Sequence, residues 1–187
     1  MKKMKKVSPI EKAARIAVEA HANQKRKDDD SPYVVHPFMV ALKLLRAGFS
    51  DEVVASSLVH DVLEDTKISE KDLEMELGED ILNIVKTLSE DKSLPWKERK
   101  KKYIESVRNG SEEAKAVSIS DKIHNAEGVL AAYELEGPKM WKYFSQGKDL
   151  KVWFEKECLK MFKEVWENPL IDEYESLVIK MEKLEDN

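Results

Sequence analysis

Apolar residues recur every three or four positions along most of the chain, which is the spacing of an α-helix that packs by one face. The segment Ser8-Pro9-Ile10-Glu11 is typical of a helix start, because a serine side chain can cap a helix and proline is tolerated in its first turn. No segment alternates between apolar and polar residues for long enough to predict a strand. The pattern therefore predicts an all-α protein.

Capping residues, prolines and glycines divide the pattern into successive helices. Pro37 begins the second predicted helix, which Gly48 ends, and Ser50 begins a third that runs through His60 to about Asp65. Further helices are predicted at about 70–77, 80–89, 95–109, 111–130, 150–166 and 170–184. The polar segment 25–31 is predicted to be a loop, because its successive aspartates resist burial.

The last predicted helix has a regular apolar stripe, made of Leu170, Tyr174, Leu177, Met181 and Leu184. Spacings of four and three residues would suit a short coiled-coil seam in a homodimer. The repeat is too short to establish such a seam. The pattern therefore favours a helix that covers its own domain, with the homodimer left as an open alternative.

Length and composition limit the architecture. The chain has 187 residues, the size of one domain, and no shift in composition marks a linker. Glycine and proline number only 6 each, which favours helices over a β-sandwich or a barrel. We expect one compact multi-helix domain over 1–187, with a motif-bearing core at about 8–130 and C-terminal helices at about 137–185.

Charge and hydropathy exclude several kinds of partner. Acidic side chains outnumber basic ones, 37 to 32, so the net charge of −5 disfavours a protein that wraps nucleic acid. The longest apolar runs are far shorter than the roughly 20 residues of a membrane span. No signal peptide follows the basic first residues, and the single Cys158 cannot form an internal disulfide. The sequence therefore predicts a cytoplasmic protein with neither a nucleic-acid nor a membrane partner.

Histidine and carboxylate side chains are concentrated near the middle of the chain. His60 and Asp61 are adjacent, and Glu64 and Asp65 follow one turn later, so a continuous helix would carry all four on one surface. Apolar neighbours indicate that this surface lines a pocket. Crowded carboxylates repel one another, and a divalent cation is the simplest compensation.

Two other segments add residues of the same types. His36 precedes Pro37, which predicts extended backbone at a helix start. Asp121 is followed by His124 and Asn125 on one helical face. Imidazole and carboxylate together suit Mn²⁺, Fe²⁺, Co²⁺ or Zn²⁺. Taken singly, each residue has a simpler explanation, with His36 as a capped loop residue and Asp121 as a solvated helix charge.

These residues and their surroundings resemble the HD metal-dependent phosphohydrolases. Within them the chain is most similar to the hydrolase domain of the RelA/SpoT-type (p)ppGpp enzymes, and above all to their stand-alone small alarmone hydrolases. The similar blocks follow the order of that family and lie at 20–27, 32–37, 58–66, 89–100 and 121–125. The resemblance implies an HD-domain fold.

The resemblance also implies a metal site and a reaction. His36, His60, Asp61 and Asp121 would bind one divalent metal, which is Mn²⁺ in most relatives. The family reaction removes pyrophosphate from the 3′ position of ppGpp or pppGpp and gives GDP or GTP, so the implied partner is a small nucleotide. The implied acid–base groups, which would orient and deprotonate the attacking water, are Glu64 and Asp65.

The implied substrate contacts are Arg26, Lys27 and Asn125. Arg26 and Lys27 would meet the base and the phosphates, and Asn125 would hydrogen-bond the nucleoside. Without the resemblance, Arg26 and Lys27 would be interpreted as part of a solvated loop.

Departures from the family pattern keep two other functions open. Acidic residues follow Lys27, and Glu127 stands where relatives often carry arginine. Either change would suit an HD phosphohydrolase that acts on another nucleotide or phosphoester. A non-catalytic nucleotide-sensing module is the third hypothesis, and the presence of Glu64 and Asp65 argues against it. His21 is expected to be a buried structural residue, and the role of His124 is left open.

Overall fold

A computed structural model describes residues 7–26 and 30–186 of the chain. The helices are α1 (Pro9–Ala20), α2 (Val35–Arg46), α3 (Asp51–Leu58), α4 (Val62–Asp65), α5 (Glu70–Leu77), α6 (Glu79–Leu88), α7 (Trp96–Asn109), α8 (Glu112–Glu136), α9 (Gly147–Val165) and α10 (Leu170–Glu182). A 3₁₀ helix, Gly137–Tyr143, lies between α8 and α9. Within the described residues, the β-type backbone pairing consists of an isolated antiparallel bridge between Lys25 and Pro32. The prediction of an all-α fold is confirmed.

Side-chain caps fix several of the predicted helix starts. The hydroxyl of Ser8 accepts a hydrogen bond from the backbone N–H of Glu11 at 3.1 Å, and Ser111 caps α8 in the same way. Ser69 and Asp72 form a reciprocal capping box at the start of α5. These bonds satisfy amide groups that have no partner within the helix.

The second helix starts earlier than the sequence predicts. It begins at Val35, so His36 and Pro37 both lie in its first turn and the expected extended geometry of His36 is wrong. Proline is tolerated there because the amide groups of the first turn have no intrahelical acceptor. The helix therefore holds the backbone of His36 in a defined position.

The predicted third helix is broken in the middle. It ends at Leu58, and the short α4 starts only at Val62. Nδ1 of His60 lies 2.6 Å from the carbonyl oxygen of Ser57, which a continuous helix would offer to the amide of Asp61. The imidazole thus replaces a helical hydrogen bond, and the His60–Asp61 pair lies in a turn rather than on a helical face.

Helices α3 and α8 are central to the packing. Helix α3 contacts α1, α2, α6 and α8, and α8 also packs against α10. Because α3 is covered on several sides, even Ser56 and Ser57 are fully buried. This arrangement places the C-terminal end of α3 beside the middle of α8 and the first turn of α2.

The C-terminal helices complete the core. Helix α10 packs against α8 and α9, and Tyr174 and Met181 are fully buried, as is Cys158. The interpretation of the last helix as a cover for its own domain is confirmed, and the homodimer stays a prediction. Among the described residues, no helix is both long enough and apolar enough to cross a membrane.

Candidate metal centre

His36, His60 and Asp121 come together from α2, the α3–α4 turn and α8. One possible ligand atom from each residue lies within 4.8 Å of the other two. Nε2 of His36 is 3.0 Å from Oδ1 of Asp121, and Nε2 of His60 is 3.7 Å from the same oxygen. All three residues are buried. Three of the four predicted metal ligands are therefore grouped tightly enough to share one ion.

Asp61, the fourth predicted ligand, lies at the edge of this group. Its Oδ2 is 3.2 Å from Nε2 of His60 and 3.8 Å from Nε2 of His36. The same oxygen accepts a hydrogen bond from the hydroxyl of Tyr33. Burial and the nearby Asp61 carboxylate raise the pKa of Tyr33 far above its ordinary value, so this hydroxyl remains a donor.

The cluster has the chemistry of a cation site. Among the described residues, Nε2 of His60 is a buried atom without a hydrogen-bond partner, which is rare unless a ligand or ion completes the site. Burial lowers the pKa of His60, but Asp61 and Asp121 raise it, and the result is a pKa of about 9. The electrostatic potential at Nε2 of His60 therefore favours a positive charge. Two imidazoles with nearby carboxylates fit a divalent transition metal.

His124 orients one of the histidines. Its Nδ1 is 2.8 Å from Nδ1 of His36, although the two residues are 88 positions apart. Burial and the neighbouring His36 and Arg26 lower the pKa of His124 to about 4, so its ring is neutral at pH 7. A neutral His124 can accept a hydrogen bond at its Nδ1 from the Nδ1–H of His36, which leaves the lone pair of His36 Nε2 facing the cluster. The contact favours a positioning role for His124, whose role the sequence leaves open.

Asp121 is held through both of its oxygens. Nδ2 of Asn125 donates to Oδ1 at 2.6 Å, and Nζ of Lys122 lies 2.9 Å from Oδ2. Burial raises the pKa of Asp121, but Lys122 and the two histidines hold it well below the usual range. In this structure the amide of Asn125, predicted to meet the substrate, thus contacts a candidate metal ligand.

Glu64 and Asp65 lie in α4, on the wall of the same cavity. Burial and the neighbouring carboxylates of Glu90 and Asp61 raise the pKa of Glu64. Nζ of Lys92 is 3.5 Å from Oε1 of Glu64 and hydrogen-bonds to the carboxylate of Asp65. One exposed lysine therefore contacts both predicted acid–base groups.

The backbone of Asp65 is held by the loop after α1. Nε2 of Gln24 donates to the carbonyl oxygen of Asp65 at 2.8 Å, and Oε1 of Gln24 lies 2.7 Å from Nδ1 of His21. His21 is 1% exposed. Its expected structural role is consistent with this buried chain of hydrogen bonds.

The cavity has a volume of about 350 Å³ and joins the metal cluster to a group of basic and aromatic side chains. Arg26 and Asn125, two of the predicted substrate contacts, are part of its wall. Lys27 lies outside the described residues. The cavity is also lined by residues that were not predicted as site residues, namely Lys25, Tyr33, Glu90, Lys100, Tyr103, Ser118, Lys122 and Tyr143.

Lys100 is a largely buried lysine in a helix rich in basic residues. Its side chain is only 16% exposed. Its Nζ lies 2.5 Å from Oε1 of Glu90 and 4.7 Å from the centre of the Phe154 ring. Helical periodicity predicts the face of α7 on which Lys100 lies. It does not predict the ion pair with Glu90, which lies in the loop before α7.

A comparison with family models decides the classification. Residues 13–143 match the model of the HD domain, which covers more than half of the chain. The chain belongs to the HD-domain family. Its cluster of histidine and aspartate residues lies within the matched segment.

Several curated proteins are similar to this HD-domain chain. The guanosine-3′,5′-bis(diphosphate) 3′-pyrophosphohydrolase MESH1 of Xenopus tropicalis is 40% identical over 119 residues, which are 62% of this chain and 66% of that protein. The protein of the same name from Homo sapiens is 38% identical over 116 residues, 60% of this chain and 65% of that protein. The alignments thus span slightly less than two thirds of these relatives.

Solved structures extend the likeness to nearly the whole fold. A structure described as a metazoan orthologue of SpoT that hydrolyses ppGpp superimposes with a TM-score of 0.80 at 27% identity, covering 95% of this chain and 97% of that one. The protein lmo0812 of Listeria monocytogenes superimposes with a TM-score of 0.73 at 36% identity, covering 82% and 99%. The arrangement of the C-terminal helices is therefore shared beyond the matched HD segment.

Proposed function

We propose that this protein is a metal-dependent hydrolase that removes the 3′-pyrophosphate of ppGpp or pppGpp. The observation that carries the proposal is one cavity that holds both the metal cluster and the acid pair Glu64 and Asp65. The names of the curated relatives and of the metazoan structure support the choice of substrate. The cavity also has basic side chains, as a highly phosphorylated ligand requires.

The proposed ligands of the metal are His36, His60, Asp61 and Asp121, and Mn²⁺ is the proposed ion. Two neutral imidazoles and two carboxylates would balance the charge of a divalent cation. When bound, such an ion lowers the pKa of a water molecule and polarises a phosphoryl oxygen. Ser57 and His124 hold the two rings so that each Nε2 faces the cluster.

Glu64 and Asp65 are the proposed acid–base residues. A water oxygen forms a bond to the phosphorus attached to O3′, and the bond between this phosphorus and O3′ breaks. The acid pair accepts the proton that the water loses, and O3′ gains a proton, so the products are pyrophosphate and GDP or GTP. The raised pKa of Glu64 suits a base that works near neutral pH.

Arg26, Lys27 and Asn125 are the proposed substrate contacts. Arg26 and Asn125 belong to the cavity wall, which supports their assignment. The contact between Asn125 and Asp121 suggests a second role, in which the amide keeps the carboxylate in place. Lys27 is proposed from the family motif alone.

The test is the purified protein with Mn²⁺, offered ppGpp and a panel of other nucleotides, with products separated by chromatography. We expect GDP and pyrophosphate from ppGpp. Orthophosphate from other nucleotides with ppGpp untouched would favour the alternative phosphohydrolase. Metal binding without any turnover would favour a nucleotide-sensing module.

A further inference from the structure

Lys122 is a buried lysine directly beside a candidate metal ligand. It is 7% exposed, and its Nζ lies 2.9 Å from Oδ2 of Asp121. Aromatic rings flank it, with the centre of Tyr103 at 4.7 Å and the centre of Phe154 at 5.1 Å, and the buried carboxylate of Glu155 is close enough to favour its charge. A buried lysine needs an anionic partner, and Asp121 is the carboxylate that its ammonium group contacts.

The two oxygens of Asp121 face different groups. Oδ1 is directed to the cluster, 3.0 Å from Nε2 of His36, whereas Oδ2 meets Lys122. A metal ion at the cluster and the ammonium group of Lys122 would thus share one carboxylate from its two sides. Two cations held a few ångströms apart repel each other, and burial strengthens this repulsion.

We propose that Lys122 is an internal counterion that stabilises the metal-free site and weakens the binding of the divalent cation. Without metal, Lys122 supplies positive charge on the Oδ2 side of the buried Asp121, in addition to the histidines on its Oδ1 side. With metal bound, the ion replaces much of this compensation, and the repulsion between the two cations lowers the affinity. With a divalent metal bound, its charge is balanced by Asp61 and Asp121, and the charge of Lys122 is then left over. If the proposed function holds, this remaining positive charge is available to attract the phosphate groups of the nucleotide.

The test replaces Lys122 by methionine, which keeps a long apolar side chain between the two rings. We expect the Kd for Mn²⁺, measured by isothermal titration calorimetry, to fall by about tenfold or more in Lys122→Met. In the presence of a chelator, the same variant should melt at least about 5 °C below the wild type, because a buried carboxylate has lost its partner. Lys122→Arg keeps the charge and should stay close to the wild-type Kd.

Lys115→Met is the matched control. Lys115 is also a buried lysine of α8, but its ammonium group donates to the carbonyl of Gly110 rather than to a candidate ligand. We expect this variant to bind Mn²⁺ with the wild-type Kd. Weaker or unchanged Mn²⁺ binding in Lys122→Met would overturn the proposal, since Lys122 would then only position Asp121.

A second comparison covers the case in which Lys122→Met does not fold without metal. The double variant Asp121→Asn with Lys122→Met removes both charges, so it should be more stable in chelator than Lys122→Met alone. A double variant that is no more stable would contradict the counterion role. None of these measurements needs a substrate, so a failure to hydrolyse ppGpp and a failure of this inference are distinguishable.

Discussion

At the scale of single residues, the roles proposed for Glu64 and for the metal ligands can be tested separately. Glu64 lines the cavity in α4, but it is not one of the residues grouped around the metal position. We expect Glu64→Gln to lower kcat by about 10² or more, the contribution of a general base, while the Kd for Mn²⁺ stays unchanged. Steady-state kinetics and calorimetry on the same preparation measure both quantities.

The exposed Glu70 offers a control for the Glu64 variant. It pairs with Lys86 on the protein surface at 2.7 Å, and it is not among the described residues that line the cavity. Glu70→Gln makes the same chemical change and should leave kcat at the wild-type level. Full activity of Glu64→Gln would show that Glu64 is not the base.

The pH dependence of the reaction should reveal the surroundings of Glu64. Burial and Glu90 raise the pKa of Glu64, and a base must be deprotonated to act. Activity should therefore fall, as the pH decreases, at a pH above that expected for an ordinary glutamate. Glu90→Gln removes one of the two main causes and should move this acid limb of kcat/KM to lower pH. A limb that moves upward would contradict the assignment.

The sequence predicts which residues lie at the candidate metal site far better than it predicts which contacts hold them there. The proposed ligands lie in motifs that follow one another in a fixed order, so the resemblance to a family is enough to identify them. They are His36, His60, Asp61 and Asp121. The contact between His36 and His124 joins residues 88 positions apart, and that between Tyr33 and Asp61 joins residues 28 apart. Such contacts depend on how helices cross, which helical periodicity does not encode.

At the scale of helices, the sequence predicts the starts with a side-chain cap well, but it misses the early start of α2 and the interruption after Leu58. Ser8, Ser69 and Ser111 cap helices through local bonds to the third residue after them. The break after Leu58 depends on the side chain of His60, whose Nδ1 hydrogen-bonds to the carbonyl oxygen of Ser57 in place of a backbone amide. Because apolar residues continue across this break, their period alone predicts one helix.

The cap of α5 allows a direct measurement at this scale. The hydroxyl of Ser69 accepts from the amide of Asp72, and the carboxylate of Asp72 accepts from the amide and the hydroxyl of Ser69. Ser69→Ala should lower the free energy of unfolding by about 1 kcal/mol. Chemical denaturation at neutral pH measures this loss, and Ser69→Thr, which keeps the hydroxyl, should recover most of it.

The pH dependence of this loss follows from the pKa of Asp72. Hydrogen bonds from Ser69 lower that pKa in the folded state, so the stabilisation is present above the unfolded pKa and is lost as the pH falls through the folded pKa. The difference between the wild type and Ser69→Ala should therefore shrink on acidification below the ordinary range of an aspartate. A difference that grows on acidification would contradict the capping box.

At the scale of the whole molecule, a metal ion would connect helices that are distant in sequence. His36 comes from α2, His60 follows α3, and Asp121 lies in α8. The ligand set is complete only when these helices pack together, so the folded chain binds the ion and the unfolded chain does so only weakly. Binding to the folded state alone raises stability with the concentration of free ion.

This coupling predicts a thermal shift. With Mn²⁺ at about one hundred times its Kd, the stabilisation should be about 2.7 kcal/mol, which raises Tm by about 5–10 °C for a chain of this size. Asp61→Ala removes a proposed ligand at the edge of the cluster, so its Tm should respond far less to the same concentration of Mn²⁺. Since Glu64→Gln leaves all four proposed ligands in place, it should retain the full shift. Equal shifts in Asp61→Ala and in the wild type would mean that the ion binds elsewhere.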